Sequence, residues 1–130
     1  MSASLAQKLQ LKPGQRMAVL NAPQGYLERP AVEMEGIMVS AQATGKPEAV
    51  LLFVNKLAEA ERLAPRAIRA IKSDGLLWIA YPKGTSRLKT DVNRDRLWEA
   101  LKPTGWRPVR QIALDEVWSA MRFRPEKYDR

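Results

Sequence analysis

The sequence contains no cysteine and no histidine. Without cysteine no disulfide can form. Thiol nucleophiles, thiolate or imidazole metal sites, Cys–His pairs and Ser–His–Asp triads are all excluded. Carboxylates alone hold zinc poorly, so no metal site is expected. The missing imidazole also removes the usual proton carrier near neutral pH. General acid–base work would fall to Glu28, Glu33, Glu35, Asp91 or Tyr26, and nothing in the sequence forces two of these together. No catalytic residue is assigned, and the balance leans away from an enzyme. Long apolar runs are missing too. Stretches such as Ala49–Val54 and Leu76–Tyr81 are far too short to span a bilayer. Met1-Ser2-Ala3-Ser4-Leu5 lacks the basic stretch and apolar run of a secretory signal. A cytoplasmic protein without membrane association is the expectation.

What is present suits one globular domain over residues 1–130, with 125–130 as a frayed tail. Of the 130 residues, 45% are hydrophobic and 28% charged. A chain of this size can bury about two thirds of its extended surface, enough for one core. Net charge is +8, and it is unevenly spread. Residues 1–60 hold six cationic side chains against five acids, whereas residues 61–130 hold sixteen against nine. Such an excess suits a polyanionic partner such as nucleic acid, and it equally serves solubility.

Periodicity supplies the elements. Ser4–Leu11 has helical spacing, with Ser4 as N-cap, and Pro13-Gly14 turns the chain. Arg16–Leu20, Gly36–Ala41, Ala49–Val54 and Leu76–Tyr81 read as strands. The last two are apolar at every position, as strands covered on both faces must be. Asn21–Gly25 is a loop, and Tyr26–Arg29 a brief helix before Pro30. Lys56–Lys72 is helical, with Pro65 expected to begin a second helix. Asp91–Leu101 is an amphipathic helix using Leu97, Trp98 and Leu101. Alternation in Val109, Ile112 and Leu114, an Asp115-Glu116 break, then Val117, Trp118, Met121 and Phe123 predict a terminal antiparallel hairpin. Strands alternating with helices imply a mostly parallel sheet with helices on both faces, a three-layer α/β Rossmann-like fold.

Leu11-Lys12-Pro13-Gly14-Gln15-Arg16-Met17-Ala18-Val19-Leu20 resembles the entry to the first strand of class I S-adenosylmethionine-dependent methyltransferases. Leu63–Ile79 is similar to their helix, turn and fifth strand, with Ile71-Lys72-Ser73-Asp74-Gly75 standing at the turn. The C-terminal hairpin is also characteristic of that family. The resemblance implies about six strands in the order 2-1-3-4-6-5, one strand fewer than the family's seven. The whole chain also resembles a family of small bacterial proteins defined only as a domain of unknown function. The segments that carry this are Asn21–Tyr26, Tyr81-Pro82-Lys83-Gly84 and Asp115–Pro125. Two departures stand out. Asn21-Ala22-Pro23-Gln24-Gly25 has a single glycine where the methyltransferases have a glycine-rich cofactor loop, and its proline removes an amide donor. Ser40-Ala41-Gln42-Ala43-Thr44 offers no acid to hold ribose hydroxyls. No cofactor is therefore predicted, with S-adenosylmethionine the one the resemblance would supply.

Ligands of open α/β sheets bind beyond the carboxyl ends of the strands, where strand order reverses. The residues there are Asn21, Pro23, Gly25 and Tyr26 after the first strand, Asn55 after the third, and Tyr81, Lys83, Thr85, Ser86, Arg87 and Lys89 after the fourth. Arg94 follows on the next helix. Cations, hydroxyls and a helix start together form an anion site, although the spacing is not that of a Walker loop. The same loop also reads as a solvated surface segment. Tyr26 and Tyr81 either stack on a ligand or lid the core. The leading reading is a non-catalytic methyltransferase-like module binding an anionic small ligand or a protein partner at this edge. The alternatives are a nucleic-acid-associated basic protein and a degenerate methyltransferase. Trp118 beside Arg122 leaves self-association open.

Overall fold

The computed structural model describes residues 5–23, 36–41, 45–72, 75–84 and 90–125. Six strands form one sheet: β1 (Arg16–Leu20), β2 (Met38–Ser40), β3 (Ala49–Phe53), β4 (Leu76–Pro82), β5 (Trp106–Ala113) and β6 (Trp118–Pro125). Their order is β2-β1-β3-β4-β6-β5, as the sequence implied. β2, β1, β3 and β4 run parallel, while β6 is antiparallel to both β4 and β5.

Two cores follow from the alternation of side chains across the sheet. On one face Val50, Leu52, Leu77, Ile79, Met121 and Phe123 pack against α2 (Leu57–Ala70) and α3 (Arg94–Leu101). On the other, Val19, Leu51, Phe53, Trp78 and Ala120 pack with Leu9 and Leu11, which follow α1 (Leu5–Lys8). Every residue of β3 is buried, which explains its unbroken apolar run. Trp78 is fully buried, and its Nε1 donates to the Leu9 carbonyl (3.1 Å), tying the turn after α1 to the sheet centre. Trp118 meets Phe53 edge-to-face at 4.9 Å, so it packs in the core.

Several expectations are corrected. Pro65 lies inside α2, which is one continuous helix. Ala60, Ala64 and Ala67 keep a single buried stripe through it, and Ile71 just past its end continues that stripe. The donor that Pro65 lacks would have served the carbonyl of Glu61, an exposed residue that solvent can reach. α3 begins at Arg94, where the Asn93 side chain accepts from the Arg96 amide (2.8 Å). It buries Leu97 and Leu101, one turn apart, and leaves Trp98 45% exposed beneath the Lys102 ammonium. β2 is shorter than Gly36–Ala41 and all three of its residues are exposed. The first helix stops at Lys8, before a left-handed Gln10. Ser4, the brief helix at Tyr26–Arg29 and tail residues 126–130 lie outside the described residues, and Pro125 closes β6. Among the described residues no helix is long and apolar enough to cross a membrane.

Gly75 shows how tightly β4 is entered. A Cβ there would lie 2.6 Å from Ile71 Cγ1 and 2.8 and 2.9 Å from the Glu48 and Lys72 carbonyl oxygens, two of them backbone atoms. Gly84 has nothing within 4 Å. Gly75→Ala is therefore expected to destabilise by about 1–3 kcal/mol. Gly84→Ala should be neutral or slightly stabilising. Paired urea-denaturation curves check this, and equal effects at the two positions would contradict it.

Candidate functional site

Because β1, β3 and β4 are parallel and in register, their carboxyl ends meet at one rim. The chain leaves β1 through Asn21, which adopts a left-handed conformation (φ 56°) that asparagine tolerates better than most residues. Its Nδ2 donates to the Phe53 carbonyl (2.8 Å) and to Glu59 Oε2 (3.0 Å), so one side chain bridges β1, β3 and α2. Glu59 Oε1 reaches back to the amides of Asn55 (2.9 Å) and Lys56 (3.2 Å). The next free amide of the helix start, that of Leu57, donates to Asp91 Oδ1 (2.8 Å). Thr90 donates its hydroxyl to the Asn55 carbonyl (2.8 Å) and accepts from the Val92 amide (3.0 Å). Among the described residues the rim is thus tied by internal hydrogen bonds in which protein carboxylates occupy the positive end of α2.

The electrostatics match the geometry. Burial opposes ionisation of Glu59, yet the Asn55 amide, the Asn21 carboxamide, the Lys56 amide and the nearby Arg62 charge outweigh it. Its pKa lies below the ordinary value of 4.5. At the opposite end of the strands, the Arg16 amide (2.7 Å) and guanidinium (3.3 Å) hold the Glu48 carboxyl below that value too.

Of the residues singled out from the sequence, Asn21 and Asn55 come together at the rim. Asn55 does so through its backbone. Pro23 follows Asn21 by two residues. Lys83 leaves β4 with its amide donating to the Val117 carbonyl (2.8 Å), which ties the end of β4 to the β5–β6 turn. Arg94 pairs with Asp95 (3.5 Å) and not with Asp91, whose carboxylate caps α2. Glu99 and Lys102, three residues apart, pair at 2.8 Å. Tyr81 lies in the helix-side core, 4% exposed, and its hydroxyl accepts from Gln111 Nε2 (2.8 Å). Burial pushes its phenol up. A ring so enclosed lids the core. Gly25, Tyr26, Thr85, Ser86, Arg87 and Lys89 lie outside the described residues, as do Glu28, Glu33 and Glu35. A surface groove of about 660 Å³ lies away from the rim, between α2 and α3, lined by Glu61, Pro65, Ile68, Arg69, Glu99 and Pro103 among others. No group of three potential metal-ligating side chains occurs among the described residues.

Sequence reasoning missed Glu59, Thr90 and Asp91 as the ties of the rim. Glu59 stands three residues into its helix, the position from which a carboxylate reaches back to the helix start. Lysine at the cap position masked that signal.

The strand order, with its antiparallel closing pair, defines a Rossmann-like fold of the methyltransferase type. Among solved structures the chain is similar to the tRNA methyltransferase TrmK of B. subtilis, with a TM-score of 0.59 and 12% identity, covering 96% of this chain and 66% of that one. It is similar to the ribosomal protein L11 methylase of Lactobacillus delbrueckii subsp. bulgaricus, with a TM-score of 0.59 and 11% identity, over 93% of this chain and 74% of the other. A SAM-dependent methyltransferase from Aquifex aeolicus gives a TM-score of 0.56 at 11% identity, covering 92% and 86%. Identities this low speak to the fold alone. No family model and no curated protein matches the sequence, so the resemblance to a small bacterial family gains no support.

The Glu59 hydrogen bonds have a pH signature. The folded-state pKa is depressed, so the stabilisation is present above the unfolded value and is lost as pH falls through the folded one. Glu59→Gln should cost about 1 kcal/mol at pH 7, the scale of a helix-start interaction. The gap to wild type should close below the carboxylate range. Urea midpoints measured from neutral to acid pH test this, and a gap that widens in acid would contradict it.

Proposed function

We propose that this chain is a methyltransferase-like module that binds an anionic small molecule at the strand-end rim without transferring a methyl group. The supporting observation is that Glu59 and Asp91 already take the amides of Asn55, Lys56 and Leu57. Those amides stand at a helix start, where a bound anion would otherwise be favoured. Displacing a carboxylate from such amides forfeits charge-assisted hydrogen bonds. An anion is instead received by side-chain cations: Lys83, whose backbone is fixed by the Val117 carbonyl, and Arg87 and Lys89 of the loop that follows it. Asn21 holds the rim rigid from the other side.

A second reading, binding of S-adenosylmethionine, draws support from fold neighbours described as SAM-dependent or as carrying S-adenosylhomocysteine. The single glycine of Asn21–Gly25 and the acid-free Ser40–Thr44 weigh against it.

Thermal shift separates the two. A ligand that binds only the folded state stabilises it by about 2.7 kcal/mol at a hundred times its Kd. Inorganic pyrophosphate and nucleoside monophosphates are expected to raise the melting temperature by several degrees, and the rise should vanish in Lys83→Ala/Arg87→Ala/Lys89→Ala while the unliganded melting temperature holds. S-adenosylmethionine and S-adenosylhomocysteine should leave it unchanged. A saturable response to either of these, with none to the phosphates, would replace the first reading by the second.

A further inference from the structure

The hairpin of β5 and β6 gathers four arginines on one face of the sheet. In β6, side chains two apart share a face. Trp118 and Ala120 belong to the α1-side core, so Arg122 and Arg124 project to that side as well. In β5 the cross-strand partners are Arg107, opposite Arg124, and Arg110, opposite Arg122, and directly opposed residues share a face. Arg107 and Arg110 are three apart, a separation that would normally send them to opposite sides. A bulge between Pro108 and Arg110 inserts Val109 and rotates Arg110 onto the face of Arg107. The outcome is a two-by-two array. Its guanidinium-bearing positions stand about 5 Å apart across the strands and about 7 Å apart along β6.

Like charges directly opposed across an antiparallel pair are destabilising, and Arg110 stands directly opposite Arg122. Arg122 is poorly accommodated. Its Nη1 donates to Gln10 Oε1 (2.7 Å), but its Nε is buried with no hydrogen-bond partner. Burial, then the charges of Arg124 and Arg110, pull its pKa below the usual guanidinium range. Arg107 and Arg110 remain exposed on an edge strand.

We propose that this four-arginine face is a docking surface for the phosphodiester backbone of a nucleic acid. Guanidinium forks match phosphate oxygens two at a time, and a phosphate seated here offsets the opposed charges of Arg110 and Arg122. An extended double row suits a chain of phosphates better than one isolated anion. The charge asymmetry agrees, since seven of the eight excess positive charges fall in residues 61–130. Arginine–phosphate pairing of this kind positions a backbone and does not read its sequence. The surface is separate from the rim and does not depend on the reading of that site.

The test is fluorescence anisotropy with labelled single-stranded RNA and duplex DNA of mixed sequence, over a series of salt concentrations. The variant Arg107→Thr/Arg110→Thr removes two charges from an exposed edge with a residue that strands favour. Its control, Arg62→Ser/Arg66→Ser, removes the same charge from α2, against the opposite face of the sheet. The array variant should bind roughly tenfold or more weakly. Its salt dependence should flatten by about 0.7–0.9 in log–log slope for each phosphate that the protein no longer neutralises. The control should stay within about twofold. Should the double variant fail to fold, Arg110→Gln alone should flatten the slope by the amount expected for a single phosphate. The proposal is overturned if array and control variants weaken equally. It is also overturned if the wild-type protein binds neither nucleic acid, whether or not it binds anionic phospholipid vesicles.

Discussion

The molecule depends on β1, β3 and β4 running in one direction and ending together. Parallel neighbours need crossovers, and the crossover from β3 to β4 is α2, packed on the sheet through Ala60, Ala64 and Ala67. That packing fixes where α2 starts, and the start of α2 places Glu59. One carboxylate accepts from two amides of its own helix entry and from Asn21 of the neighbouring strand. Strand order, helix placement and rim geometry are therefore coupled through a few polar atoms above an apolar sheet. The far end is held in a similar way. Glu48 takes the amide and guanidinium of Arg16, and Lys46 reaches the Arg69 carbonyl at the end of α2.

Similarity of fold does not by itself carry chemistry to this rim. A methyltransferase-type sheet offers a crevice at its strand ends, but the sheet itself carries no reaction. Catalysis of group transfer requires a cofactor held by donors and acceptors that are free to meet it. In this chain the amides of Asn55, Lys56 and Leu57 at the start of α2 are taken by the chain's own carboxylates.

The legible part of this fold was the part governed by apolar periodicity. Ala49–Val54 and Leu76–Tyr81 could only be doubly covered strands, and the alternation around Asp115-Glu116 could only pair antiparallel. What escaped was set by long-range polar bonds or by competition between local rules. Pro65 signals a helix break, but the alanine stripe on both sides of it buries against the sheet, and packing overrides propensity. Trp98 looked like core by residue type, although Leu97 and Leu101 already fill the inward stripe of α3. The partners of Glu59 and Asp91 lie 38 and 34 residues away, at Asn21 and Leu57, a separation that no local pattern encodes. The β5 bulge belongs to the same class, since a one-residue offset is visible only once both strands are paired.

That bulge also bears on why the hairpin is so basic. A charged, bulged edge strand guards a sheet against pairing with another copy, and β5 is an edge. Guarding an edge, however, needs charge on the edge strand only. Arg122 and Arg124 belong to β6, which is paired on both sides, by β4 and by β5. Edge protection gives no reason for cations there, still less for an Nε buried without a partner. The bulge then goes further and turns Arg110 towards Arg122, away from the face where Gln111 meets Tyr81. A bulge that brings Arg110 across from Arg122 is what the proposed phosphate surface would require, whereas edge protection accounts only for the charges of β5.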